Sequence, residues 1–166
     1  MAKLWNENDQ LVHGDELLLY LVDSGTVLAY ATSCSIQIDA ESIDTSSKFS
    51  CKWASAMGGK AGYTISADAL YAQNLSGGTN SSAVSFDTIM EMMVRGDQVN
   101  WYMGTEQAWT GSCEENPHIL DTTATYYNGK AVVTSCSLEA GNNEIASCSI
   151  TMTGAGPIQK NGADIS

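Results

Sequence analysis

Polar and apolar residues alternate with a period of two along residues 32–41 (TSCSIQIDAE). Cys34, Ile36, Ile38 and Ala40 fall on one side, Ser33, Ser35, Gln37, Asp39 and Glu41 on the other, the pattern of a strand half buried in a sheet. The format recurs at residues 63–71 (YTISADALY), where Tyr63, Ile65, Ala67 and Ala69 oppose Thr64, Ser66 and Asp68. It recurs again in residues 130–139 and 145–153, joined by AGNNE. In the first of these, Ala131 and Val133 give way to Ser135, Ser137 and Glu139 on one face, with Val132, Thr134, Cys136 and Leu138 on the other. In the second, Ser147, Ser149, Thr151 and Thr153 oppose Ala146, Cys148, Ile150 and Met152. Residues 17–22 (LLLYLV), followed by the turn signal Asp23-Ser24-Gly25, and residues 99–103 (VNWYM) add further strands. Residues 86–95 carry a helix: Thr88 and Glu91 have capping-box spacing, Phe86, Ile89, Met90, Met93 and Val94 form an apolar stripe, and Gly96 ends it. The expected fold is mainly β, an antiparallel sandwich or barrel-like domain with one flanking helix.

The stretches without periodicity divide the chain. Residues 42–62 read as a long polar loop between two well-patterned strands, with a Ser/Thr-rich start, Trp53 and Gly58-Gly59-Lys60. A connection of that length is usually functional or disordered. Residues 1–14 read as an arm, 15–158 as a single domain and 159–166 as a fraying tail, while residues 104–123 form a second loop holding Trp109 and Pro117.

Four strands thus share one apolar face and one face of short hydroxyl side chains, with carboxylates or amides toward an end. Exposed sheets usually carry long charged side chains. Two readings of these faces stay open: an antiparallel sheet with its outer face in bulk water, the commonest fate of such strands, and, given so few lysines and arginines, a smooth polar wall that suits the inside of a channel.

Charge and chemistry narrow the function. Across 166 residues, 7 Lys and Arg stand against 19 Asp and Glu, a net charge of −12, so the basic surface needed to neutralise phosphates is missing. Five cysteines without C-x-x-C spacing read as buried free thiols. The sequence has no charged leader with an apolar core and no run long enough to span a bilayer, so a protein assembled in a cytoplasm is expected. There is no G-x-S-x-G or H-E-x-x-H motif, and Gly58-Gly59-Lys60-Ala61 lacks the Ser or Thr that a P-loop places after its lysine. No enzyme, cofactor or metal site is expected.

The segments ATSCSIQIDAESIDTSSK, GYTISADALY, FDTIMEMMVRG and GKAVVTSCSLEAGNNEIASCSITMTGAGPI, in that order between about residues 27 and 158, resemble the major tail tube proteins of long-tailed bacteriophages. The resemblance lies in the order of the pieces. It implies a structural virion protein forming stacked hexameric rings around an electronegative channel for genome passage during ejection. Double-stranded DNA would pass without specific binding. The companions implied are tail terminator, tape measure and baseplate or tip proteins, with no membrane partner; the location is the virion tail, after assembly in the host cytoplasm. The same resemblance makes Ser35, Gln37, Asp39, Glu41, Ser66, Asp68, Ser135, Ser137, Glu139, Ser147, Ser149 and Thr151 line the channel. It makes 42–62 the ring-stacking loop, with Ile43, Asp44, Lys48, Phe49, Trp53 and Met57 as its contact residues. Two alternatives stay open: the tube protein of a contractile injection or secretion system, and a secreted β-sandwich module for adhesion or carbohydrate binding.

Overall fold

The computed structural model describes residues 12, 14–22, 27–28, 31–47, 53–71, 83–108, 110–111 and 118–165. The elements run β1 (Leu17–Leu21), β2 (Val27–Leu28), β3 (Ala31–Asp44), β4 (Ala56–Leu70), β5 (Ala83–Val84), α1 (Phe86–Arg95), β6 (Gln98–Thr105), β7 (Tyr127–Glu139), β8 (Ser147–Gly154), β9 (Gln159–Lys160) and β10 (Ala163–Asp164). The strands form one sheet in the order β3-β4-β8-β7-β6-β1-β2-β5, with β9 added to β7 and β10 to β9. Every pairing is antiparallel except the short one between β2 and β5.

The sheet curls so that one face closes on itself. β3 and β1 stand first and sixth in the order, yet the Cys34 thiol donates to the Leu17 carbonyl at 3.6 Å. Leu19, Leu21, Ile65, Ala67, Trp101, Ala131, Val133, Cys148, Ile150 and Met152 fill the space between the two halves, and Ile89 of α1 plugs one side. Aliphatic burial on this scale supplies the main drive for folding. Tyr63 and Trp101 meet across the core and fill the space beside Gly154, where an added Cβ would come within 2.4 Å of the Tyr63 ring.

The helix spans Phe86–Arg95, the residues the sequence predicts, but the Thr88–Glu91 box does not cap it. Ser85 is the N-cap, and its hydroxyl accepts from the Thr88 amide; Gly96 ends the helix at φ 72°. The inward stripe is Phe86, Ile89, Met92 and Met93, whereas Met90 and Val94, assigned to it from sequence, are 42% and 79% exposed. The helix packs its Met92–Met93 shoulder on β7, where Met93 Sδ sits 3.6 Å from Cys136 Sγ.

Three other expectations change. Residues 42–62 are not one long loop: β3 continues to Asp44 and β4 starts at Ala56, so the connection is only 45–55. Backbone pairing persists through the glycines and polar residues there (Ser42↔Gly58, Ile43↔Met57, Asp44↔Ala56), because a ladder needs hydrogen bonds more than apolar alternation. The tail does not fray, since residues 159–164 fold into the β9–β10 hairpin and β9 pairs with Tyr127 and Asn128 of β7. Asn161 and Gly162, both at positive φ (51° and 79°), make the two-residue turn that Asn-Gly favours. Finally, a bulge separates Val133 from Ser135. It keeps Ala131 and Val133 in the core and the half-buried Cys136 on the same side, against Met93, and turns Ser135 and Ser137 outward, so the single unbroken face read through 131–139 does not exist.

Candidate functional site

The strands β3, β4, β8 and β7 carry hydroxyl-bearing rows across the face turned away from the core. Partner residues run Ser35↔Ser66↔Thr151↔Ser135 in one row and Ser33↔Asp68↔Ser149↔Ser137 in the next, followed by Leu70↔Ser147↔Glu139. The sheet register thus brings together nine of the twelve residues expected to line a channel: Ser35, Ser66, Asp68, Ser135, Ser137, Glu139, Ser147, Ser149 and Thr151. Gln37 follows one row further along, opposite Thr64, and Asp39 and Glu41 stand beyond it on β3. No cation stands in the rows that start at Ser35, Ser33 and Leu70. Asp68 is the hub, accepting from Ser149 at 2.7 Å and from Ser33 at 2.9 Å. These bonds, Ser149's first, hold its carboxyl below the usual carboxylate range. Gln37 similarly donates to both oxygens of Asp39 at 3.1 Å.

Beyond Gln37 the β3–β4 hairpin stands off the body as a two-stranded ribbon. Residues 37–47 and 53–58 are exposed. The described ends of its connection are stitched together: Thr45 N donates to Ser55 O at 2.8 Å, Ser55 N to Ser46 Oγ at 2.9 Å, and Ser46 N to Asp44 Oδ1 at 2.8 Å. The Ser46 bonds hold the Asp44 carboxyl low. Large apolar side chains crowd this ribbon: Ile38 is 61% exposed, Met57 59% and Trp53 85%, with Ile43 paired to Met57. Of the expected stacking residues, Ile43, Asp44, Trp53 and Met57 lie together at this end; Lys48 and Phe49 lie outside the described residues.

The remaining chemistry is structural. Cys34, Cys136 and Cys148 are free thiols, and burial pushes Cys34 and Cys148 up, keeping them protonated. Cys51 and Cys113 fall outside the described residues, as do His13, Trp109, Glu114, Glu115 and Pro117. His118 meets Glu106 at 2.8 Å. The Gly58-Gly59-Lys60-Ala61 run is part of β4, not a phosphate-cradling loop ahead of a helix. Among the described residues no group of three or more His, Cys, Asp or Glu could hold a metal. No helix among them is long and apolar enough to cross a membrane.

The sequence profile of the phage tail tube protein family matches residues 12–160. The chain belongs to the phage tail tube protein family. No curated protein matches it by sequence. Among solved structures it is similar to a chain of the virion of a native gene transfer agent particle, with 17% identity and a TM-score of 0.65 over 90% of this chain and 98% of that one. It is also similar to the SPP1 tail tube, at 12% identity and TM-score 0.59 over 93% and 81%. A sheath–tube complex of an extracellular contractile injection system matches at 14% identity and TM-score 0.57 over 92% and 93%. Membership makes this tail tube protein a structural component of a virion tail.

Proposed function

We propose that the tail tube protein closes into hexameric rings whose stacked bores form an electronegative channel for the genome. The observation that carries this reading is a pair of free edges. β3 pairs only with β4, and β7 pairs with β6 only as far as Val132, which leaves 133–139 open on the side away from β8 among the described residues. The four strands between these edges are antiparallel throughout, so the β3 edge of one copy meets the β7 edge of the next in antiparallel sense. A head-to-tail contact of this kind generates rings, and closure removes exposed edges. The hydroxyl rows then continue around the bore. A tail of an empty gene transfer agent particle, similar to this chain at TM-score 0.62, has C6 symmetry, which supports six copies.

The ribbon supports stacking. A lone two-stranded hairpin is marginal in water, and exposed Ile43, Trp53 and Met57 gain a dry contact when an adjacent ring covers them. Passage through the bore is passive. Carboxylate–phosphate repulsion fades within about 8–10 Å at physiological salt, so Asp68 and Glu139 act by denying phosphates a contact ion pair, not by centring the duplex. No catalytic step is assigned to the chain, and tape measure, terminator and baseplate proteins are its expected neighbours. The family match favours a tube over a secreted adhesion module.

Negative-stain microscopy of the purified protein tests the reading. Rings or hollow tubes are the expected result, and a monomer that persists at high concentration overturns it.

A further inference from the structure

Lys130 is an exposed cation in a protein with 19 carboxylates, yet among the described residues its ammonium has no ion-pair partner; the ion pairs there join Arg95 to Glu91 and Asp97, and His118 to Glu106. It lines an open cleft of about 470 Å³ on the outward face of β6 and β7, beside the side chains of Gln98, Asn100, Tyr102, Asn128 and Gln159. Asn128 and Gln159 already bond each other at 2.8 Å, which leaves Gln98, Asn100 and Lys130 as the groups available to a visitor.

The sheet register says what can reach them. One row runs Gln37↔Thr64↔Thr153↔Val132. Asp39 stands two residues beyond Gln37 on β3 and Lys130 two residues before Val132 on β7. Strand side chains repeat every two residues, so Asp39 and Lys130 occupy the two ends of the next row, on the same face. At that level β7 leaves the free edge to pair with β6, with Asn100 opposite Lys130, while β3 runs on into the exposed ribbon with Asp39 and then Glu41. The cation and the carboxylates lie at opposite edges of one molecule, an arrangement that no contact within a single copy satisfies.

We infer that the cleft around Lys130 receives the ribbon of a second copy of this chain, with Lys130 pairing with the Asp39 and Glu41 carboxylates of that neighbour and the Gln98 and Asn100 amides flanking them. This rests on the edge-to-edge ring reading and deepens it, because it names the charged contact that sets the register of the seam. Strand register is weakly specified where the side chains are small and hydroxyl-bearing. A charge pair at one end removes the ambiguity that the Ser and Thr rows leave, and it discriminates against a slipped seam more than it adds affinity.

The experiment uses the full chain and measures the critical concentration for ring or tube formation by sedimentation and microscopy. Lys130→Glu and Asp39→Lys are each expected to raise it at least 10-fold while the monomer melts as the parent does, and the combined Lys130→Glu, Asp39→Lys protein is expected to recover most of the loss. Lys130→Gln, which keeps the stem without the charge, is expected to fall between parent and Lys130→Glu. Should Lys130→Glu prove unfolded, Lys130→Gln decides the matter: a critical concentration equal to the parent's overturns the inference. A folded Lys130→Glu protein that assembles like the parent, or a charge swap that recovers nothing, overturns it too while leaving the ring reading intact. Failure of the parent itself to form rings or tubes overturns both.

Discussion

Tyr63 meets Trp101 edge to face with ring centroids 5.5 Å apart, and its hydroxyl accepts from the Trp101 indole nitrogen at 3.2 Å. The two residues come from β4 and β6, which β8 and β7 separate in the sheet, so the contact ties one half of the curled sheet to the other. The same hydroxyl donates to the Lys130 carbonyl at 2.5 Å. Tyr63→Phe keeps the ring and strands both partners, an indole N–H in the core and a strand carbonyl. The expected loss is about 1–3 kcal/mol of unfolding free energy, measured by urea denaturation with an unchanged m-value.

Gly154 faces that ring. A Cβ there would lie 2.4–2.6 Å from three Tyr63 ring atoms, and the ring cannot swing away without breaking its hydroxyl bonds. Gly154→Ala is expected to cost about 1–3 kcal/mol as an overpacked site, whereas Gly58→Ala, with nothing within 4 Å of its added Cβ, is expected to leave the thermal midpoint nearly unchanged.

Asp68 offers a titration test. Bonds from Ser149 and Ser33 favour its charged form, so its midpoint, followed by carboxyl NMR, is expected below the ordinary value of about 3.9. Ser149→Ala is expected to move it upward by more than Ser33→Ala does. Because the folded value is depressed, its contribution to stability is fully present above the unfolded value and fades as pH falls through the folded one. The group is well exposed, so the stability change stays small after solvent screening; the shift in midpoint is the readout.

Trp53 is 85% exposed on the ribbon. Trp53→Ala is expected to leave the monomer's unfolding free energy within about 0.5 kcal/mol of the parent and to reduce tube yield severalfold in microscopy and sedimentation. Equal yield from the two proteins would remove Trp53 from the stacking contact.

Gly162 closes the C-terminal hairpin at φ 79°, a conformation that costs an L-residue roughly 1–2 kcal/mol. Gly162→Ala is expected to open this hairpin, read as faster amide exchange at residues 159–164, with the core strands unaffected.

The alternation of side chains made the four lining strands legible, because Ile65, Ala67, Ile150 and Met152 are buried while Ser66, Asp68 and Ser149 between them are not. Three features escaped that reading, each for a physical reason. The β3–β4 ribbon is built by backbone pairing across Gly58, Gly59 and Ser42, where side chains carry no period. The helix face slipped because Met92 and Met90 are equally apolar, and only the position of the sheet decides which turns inward. Asn161-Gly162 did announce its hairpin in the sequence, but two-residue strands fall below any periodic signal, and the turn dipeptide was the one mark available. The lining face could be placed only as far as strand alternation reaches; how copies meet depends on edges that a single chain leaves open.

The irregularity at Thr134 sets the chain's tolerance to changes in length. On its N-terminal side the inward positions are odd-numbered, Ala131 and Val133; on its C-terminal side the half-buried Cys136, set against Met93 of the helix, continues that side on even numbers. Losing that single residue would only close the bulge, because Ser135 would then follow Val133 in regular alternation, with Cys136 still inward and Ser137 still outward. The strand therefore has one residue it can lose without exchanging its faces, whereas a one-codon deletion in a regularly alternating strand without such a bulge exchanges inside for outside over all that follows.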